Sequence, residues 1–262
     1  MPVVVGIEVR KNKEKVLADC GNLDLKLGQK IIIETENGYE VGTVCDRERI
    51  VEKTDKSISK ILRPFGKDDY ARLADNETKV QEAMSIVVRK IQDYELAMKL
   101  TCLDFTFDRK KLFIYYTADT RVDFRELIKD LGHILKTRIQ MVQIGVRDEA
   151  QILGGIGHCG RVLCCCEFLK EFKPCTIEMA KEQDIPINVA KLSGVCGRLM
   201  CCLGYEHQIY KELKESMPRI GDTVRTNEGK GKVVAAIILT GEVVVEYENN
   251  EKKKVKVQDL KK

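Results

Sequence analysis

LTCLDFTFDRKKLFIYYTADTRVDFRELIKDLGHILKTRIQMVQIGV, residues 100–146, changes its hydrophobic period several times and so sets the fold of the chain. Leu103, Phe105 and Phe107 recur at period two, which places them on one face of a strand. Asp108 and Arg109 supply turn residues and KLFIYYT follows, so the stretch predicts a β-hairpin. At Asp123 the period becomes helical. Asp123 is the expected N-cap, Glu126 stands three residues on as in a capping box, and Phe124, Leu127, Ile128, Leu131 and Leu135 share one apolar face, predicting a helix over 123–136. Arg138 to Val146 then reads as a closing strand.

Upstream of this stretch, Pro64 and Gly66 punctuate the chain before a long helical pattern. Its apolar positions Val80, Met84, Val87, Ile91, Tyr94 and Met98 step by four and three, a stripe that packs on the helix's own sheet or pairs with a partner helix as a coiled coil. Helix, strand, strand, helix and strand make a central α+β domain over 63–147, a scaffold that by itself says little about activity. Residues 1–62 are predicted to be a small β unit, with Asn37-Gly38 turning a hairpin. Residues 216–262, with IGDTVRTNEGKGKVV and GEVVVEYENNEKKKVKV, predict a C-terminal SH3/KOW-like β-barrel that echoes the N-terminal strands. A Cys-rich metal-binding segment, 148–215, lies between. The expected fold class is α+β.

Composition sets limits on function. At 262 residues the chain should form two or three compact units. Hydrophobic content of 44% and charged content of 33% describe an ordinary soluble protein, and no apolar run is long enough for a transmembrane segment. The first residues place an apolar run before their basic cluster, the reverse of a secretory signal, so a cytoplasmic protein is expected. A net charge of +4 permits a nucleic-acid partner without demanding one.

Eleven cysteines are an odd number, and eight of them crowd between Cys159 and Cys202, which favours metal over a disulfide framework. CGRVLCC at 159–165 returns 37 residues later as CGRLMCC at 196–202. Duplicated thiol sets are a way to bring distant sulfurs to one soft-metal site, zinc or an iron-sulfur cluster. No two of these cysteines are separated by two residues, so the zinc-knuckle, thioredoxin and bacterial ferredoxin spacings are absent. Adjacent cysteines point in different directions, which suits a larger cluster or two sites better than one small ion. Arg161 and Arg198 would place cationic donors beside the sulfurs, Gly160 and Gly197 would admit close backbone approach, and Val162, Leu163, Leu199 and Met200 would limit water. The plainer reading is a structural zinc site or buried thiols. Cys20, Cys45 and Cys102 read as packed, unreactive thiols, Cys166 and Cys175 as bystanders or auxiliary ligands, and His158 as structural or a ligand.

Catalysis is not expected. The chain has three histidines, no nucleophile-base pattern and no phosphate loop ending in Lys-Ser/Thr, and GGIG at 154–157 reads as a tight turn. Arg225, Lys230 and Lys232, with Lys252, Lys253 and Lys254, are candidates for nucleic-acid binding, against the plainer reading of a solvated strand edge. A disulfide switch is a third possibility, if the arginines lower thiol pKa values.

GIGHCGRVLCC and SGVCGRLMCCLGYE together resemble the signature of the YaaT family, also called RicT, a group of bacterial sporulation-associated regulatory proteins. The resemblance extends to LTCLDFTFDRKKLFIYYTADTRVDF and beyond, and to residues 1–60. It implies a noncatalytic iron-sulfur adaptor that assembles with the small helical proteins RicA and RicF and modulates mRNA processing by RNase Y, with effects on sporulation, competence and biofilm formation and with indirect RNA association. The implied cofactor is a 4Fe-4S cluster, with zinc the alternative in a zinc-stabilised nucleic-acid-binding module. Its implied ligands are Cys159, Cys164, Cys165, Cys196, Cys201 and Cys202. Two clusters would need about eight ligands, so partner chains would supply the remainder. His158 stands where the family pattern has proline, and Cys166 and Cys175 are additional.

Overall fold

A computed structural model of the chain describes residues 3–10, 14–21, 23–46, 49–50 and 58–260. The chain divides into two units, Met1–Gly155 and Ile156–Lys262.

In the first unit, β1 (Val3–Val9), β2 (Glu14–Asp19), β3 (Lys30–Thr35), β4 (Gly38–Val44), β5 (Arg49–Ile50) and β6 (Ile58–Pro64) form one sheet in the order β2-β6-β3-β4-β1-β5. Pairing of β2 with β1 closes five of these strands into a barrel-like ring around Val5, Ile7, Val9, Ile31 and Ile33. The β3–β4 hairpin forms where expected, but its turn holds Glu36 and Asn37, because Thr35 pairs with Gly38. The Thr35 hydroxyl fixes that register by accepting the Asn37 N–H (3.2 Å) and donating to the Gly38 carbonyl (3.1 Å).

α1 (Lys67–Asp93) begins where Asp69 accepts the Gly66 N–H (2.8 Å). Hydrogen bonds from Arg63 lower the Asp69 carboxyl to about 2. The apolar stripe of α1 packs on its own sheet, so the coiled-coil alternative is not needed: Val80, Ala83, Val87 and Ile91 meet Leu103, Leu112, Ile114, Leu127 and Leu131 in one core. Full burial of each larger aliphatic side chain contributes about 1.5–3 kcal/mol. That sheet has the order β7 (Lys99–Phe105), β8 (Lys111–Thr117), β9 (Arg138–Gln143), with β7–β8 antiparallel and β8–β9 parallel.

α2 spans Arg125–Leu135, two residues shorter at its start than expected, with Phe124 at the cap position. Asp123 instead accepts from the backbone and guanidinium of Arg125, and Glu126 pairs with Lys129 (2.9 Å) rather than closing a capping box. The strand expected to reach Val146 ends at Gln143, and α3 (Val146–Leu153) follows. β-branched Ile144 and Val146 favour strand, but Asp148 accepts the Gly145 N–H (3.2 Å) and starts a helix there.

The second unit holds α4 (Cys164–Glu167), α5 (Ile177–Glu182), α6 (Val189–Leu192) and α7 (Cys201–Glu215). A four-stranded antiparallel sheet follows: β10 (Thr223–Thr226), β11 (Gly229–Ile237), β12 (Glu242–Tyr247) and β13 (Lys252–Lys256), paired in that order. Its strand order differs from the ring at the N-terminus, so the expected likeness of the two β regions does not extend to topology. The whole is a mixed α+β protein. Among the described residues no helix is long and apolar enough to cross a membrane.

Candidate metal centre

Each cysteine heptad builds the same turn. Ile156 bridges Val162, and 37 residues later Ser193 bridges Leu199. The Gly157 N–H donates to the Arg161 carbonyl (2.8 Å), as the Gly194 N–H donates to that of Arg198 (2.8 Å). Gly160 and Gly197 then donate to the carbonyls of Gly157 and Gly194, both at 2.9 Å. Gly160 has φ 78° and Gly197 φ 75°, the left-handed region where a side chain is disfavoured. This conformation is the reason for glycine there; a Cβ on either would meet no protein atom within 4 Å, so close backbone approach is not the cause.

The chain leaves each turn through a residue of matching backbone geometry, Leu163 (φ −54°, ψ 131°) or Met200 (φ −56°, ψ 124°). Cys164 and Cys165 therefore open α4 as Cys201 and Cys202 open α7.

The segments that follow the two heptads meet, Phe168 against Tyr205. Burial pushes the Cys165 thiol up to about 11, with the sulfurs of Cys166 and Cys201 adding to the shift. Burial likewise pushes the Cys202 thiol up to about 11, and here Cys164, Glu206 and Cys201 add. The pairs Cys165/Cys201 and Cys164/Cys202 exchange under the 37-residue shift. Phe168 and Tyr205 are also 37 residues apart, and their rings meet edge to face at 5.1 Å.

Of the six expected ligands, Cys165 lies within electrostatic reach of Cys201, and Cys202 within reach of Cys164 and Cys201. Cys159 is exposed and Cys196 half-buried, each within its own turn. All eleven cysteines are thiols. Among the described residues no three His, Cys, Asp or Glu side chains are grouped closely enough to hold a metal ion. The donor chemistry suits a thiophilic centre, since a cation offsets the cost of ionising thiols held near 11. The side chains as placed do not close around one.

Anchoring falls mainly to α7. Leu203 is buried with Ala180 and Leu192, and Leu199 and Met200 pack against them. Gln183 donates to the Leu203 carbonyl (2.8 Å), and the Lys214 ammonium reaches the Glu182 carbonyl (3.1 Å) and Asp184 (2.9 Å). Gly204 is a residue the sequence reading passed over. A Cβ there would stand 2.8 Å from the Cys175 sulfur, so Cys175 packs against α7 where only glycine leaves room. A glycine inside the helical run CCLGYEHQIY was the available signal.

Arg161 and Arg198 are exposed, with no ion pair or hydrogen bond from their side chains among the described residues. Val162, expected to shield the sulfurs, is 51% exposed, and His158 is exposed as well. Cys20 and Cys102 are buried in separate cores of the first unit, and Cys45 is half-buried with its thiol pushed up by burial. Arg225, Lys230 and Lys232 are exposed on β10 and β11.

Residues 59–144 match the PSP1 C-terminal conserved region, and residues 174–217 match the third domain of PSP1-like proteins, which takes in the second heptad and Gly204. The chain is 43% identical to the stage 0 sporulation protein YaaT of Bacillus subtilis, over 95% of this chain and 91% of that protein. It is 25% identical to an uncharacterized protein of Schizosaccharomyces pombe, over 47% of this chain and 20% of that one. Protein PSP1 of Saccharomyces cerevisiae matches at 48% identity, over 19% of this chain and 6% of its own length. No solved structure matches.

Proposed function

The chain belongs to the YaaT family of PSP1-related proteins, and on that premise we propose that it is a noncatalytic cytoplasmic adaptor whose duplicated heptads hold a thiolate-ligated inorganic centre. The single observation that carries the reading is the duplicated turn, met twice in one unit with Phe168 and Tyr205 of the two copies in ring contact. Structural duplication of that kind has no role in ordinary core packing, where one buried Leu would serve better than an adjacent pair of thiols.

In this reading Cys164, Cys165, Cys201 and Cys202 supply the sulfurs, and Cys159 and Cys196 complete the set from the turns. A 4Fe-4S cluster would supply charge and redox sensitivity to a surface otherwise made of protein. Gly160 and Gly197 hold the turns, α7 fixes the second heptad in the core, and the first heptad is held in part by the centre itself. Ligands beyond these six come from small helical partners of the RicA and RicF kind, so that assembly and metal loading support each other. The assembly acts in sporulation, as the name of the Bacillus subtilis relative suggests, and modulates mRNA processing by RNase Y. The C-terminal strands complete a barrel of SH3/KOW type.

Anaerobic purification followed by iron, sulfide and zinc analysis tests the centre. Iron and sulfide in equal amounts are expected, bound more tightly when the partners are co-expressed. Stoichiometric zinc without sulfide would replace the cluster with a structural zinc site, and thiols that retain no metal under any condition would end the proposal.

A further inference from the structure

The register of the C-terminal sheet gathers cations on one face. Lys230 lies directly across from Arg225, and Lys232 follows on the same side of β11. Lys232 is opposite Glu246, which is opposite Lys252, and from there Lys254 and Lys256 alternate along β13. Gly231, between the two β11 lysines, faces the other way: a Cβ on it would press into Val245, which is fully buried. Arg225, Lys230, Lys232, Lys252, Lys254 and Lys256 are all exposed, and the carboxylates of Glu242 and Glu246 are the acids on that face of the strands.

Edge protection accounts for part of this pattern only. Lysines on β13 guard an outer strand against unwanted pairing, but Lys230 and Lys232 sit on β11, which is flanked on both sides. Arg225 opposite Lys230 is moreover a directly paired like-charge couple, an arrangement that destabilises a sheet. Lys252 is paired with Glu246 (3.3 Å). The other five cations have no ion-pair partner among the described residues. A folded surface that keeps such repulsion is suited to an anion from outside.

We propose that this face binds the phosphodiester backbone of a nucleic acid directly, without reading its sequence. The cations form two rails, one on β10 and β11 and one on β13, about two strand spacings or roughly 10 Å apart. Glu242, Val244 and Glu246 run between the rails on β12. That central strip argues against an anionic membrane, which would press headgroups onto the two carboxylates and finds no exposed apolar wedge between the rails. A polynucleotide lays its phosphates on the two rails and spans the acidic strip between them. The inference is independent of the metal centre and concerns direct contact, where the family resemblance implies only indirect RNA association.

The test is fluorescence anisotropy of the full chain with a labelled single-stranded RNA, with DNA of the same sequence, and with anionic phospholipid vesicles, across about 50 to 200 mM salt. With three or four phosphate contacts, the logarithm of affinity should fall against the logarithm of salt with a slope of about −2 to −3. The triple variant Arg225→Gln, Lys230→Gln, Lys232→Gln should bind at least about tenfold more weakly at low salt and with a slope shallower by about 2. It should unfold at the same temperature or higher, because the like-charge pair is gone. Lys253→Gln should bind as wild type, since Lys253 faces the other side with Glu228 (2.7 Å). Equal affinity for RNA and DNA supports phosphate recognition, and preference for RNA supports it with a ribose contact added. Binding by the triple variant equal to wild type would overturn the proposal, as would vesicle binding without binding to either polynucleotide, or no salt-sensitive binding at all.

Discussion

The two heptads make one turn and then diverge. The helix that Cys164 opens continues through Cys166 and is four residues long, α4; the one that Cys201 opens continues through Leu203, 2% exposed, and is fifteen long, α7. The turn itself is therefore encoded locally, in the glycine and in the backbone bonds between Gly157 and Arg161 or Gly194 and Arg198. Stability is not. The second copy is fastened into a core by Leu203, Gln183 and Lys214, whereas the residue equivalent to Leu203 in the first is the half-buried Cys166.

The largest expected effect separates one shared centre from two independent ones. Replacing Cys164 and Cys165 with Ser, or Cys201 and Cys202 with Ser, should each remove all bound metal if the sulfurs act together. Metal per chain, measured after anaerobic purification, decides the matter: retention of about half in either variant would show that each heptad serves a site of its own.

Next in size is the difference in anchoring. Leu203→Ala removes a buried side chain from the Ala180–Leu192 core and should cost about 2–5 kcal/mol. Cys166→Ala, at the equivalent place in the first copy, removes a smaller and half-buried group and should cost under about 1 kcal/mol in metal-free protein. Hydrogen exchange of the α7 amides during denaturant titration reports both. Equal losses would mean that the first copy is as firmly fastened as the second.

How much of this was legible from residues alone follows from the range of the interactions involved. The α+β order of the central domain is written in short periods, such as Leu103-Phe105 and Val80-Val87-Ile91, and those residues do form its strand, helix and core, while Phe107, expected on the same strand, lies in the turn beyond it. Where reading failed, a side chain chose a different nearby partner: Asp123 took Arg125, and Asp148 started a helix that Ile144 and Val146 disguised as strand. The duplication of the heptads was visible, but its glycines read as room for close backbone approach, where their left-handed conformation is the cause. The meeting of the two copies in space was not visible, because it depends on contacts between segments 37 residues apart, such as Phe168 with Tyr205. The pairing of Arg225 with Lys230 was hidden for the same reason, since strand register decides which lysines share a face.

A smaller effect probes the helix that follows the second turn. Gly204→Ala places a Cβ 2.8 Å from the Cys175 sulfur and should destabilise by about 1–3 kcal/mol through overpacking. Adding Cys175→Ala should recover most of that loss, leaving the gain in helix propensity of Ala over Gly. Glu167, the matching residue of the first copy, is exposed, and Glu167→Ala should change stability by no more than about 0.5 kcal/mol. Failure of the double variant to recover would place the cause in the backbone of α7 instead of at the Cys175 contact.

The finest comparison concerns the turns themselves. Gly160→Ala and Gly197→Ala each force an L-residue to φ near 75°, with open space around the added Cβ, so the penalty is conformational alone and amounts to about 1 kcal/mol at both positions. Equal losses in thermal unfolding of metal-free protein are the signature of two interchangeable turns. Metal-loaded protein should show the same equality if both turns present their sulfurs to one centre, because distortion of either then weakens the same set of bonds. A penalty that grows on metal loading for Gly197→Ala but not for Gly160→Ala would assign the centre to the second heptad and leave the first as a copy that kept its shape without sharing the metal.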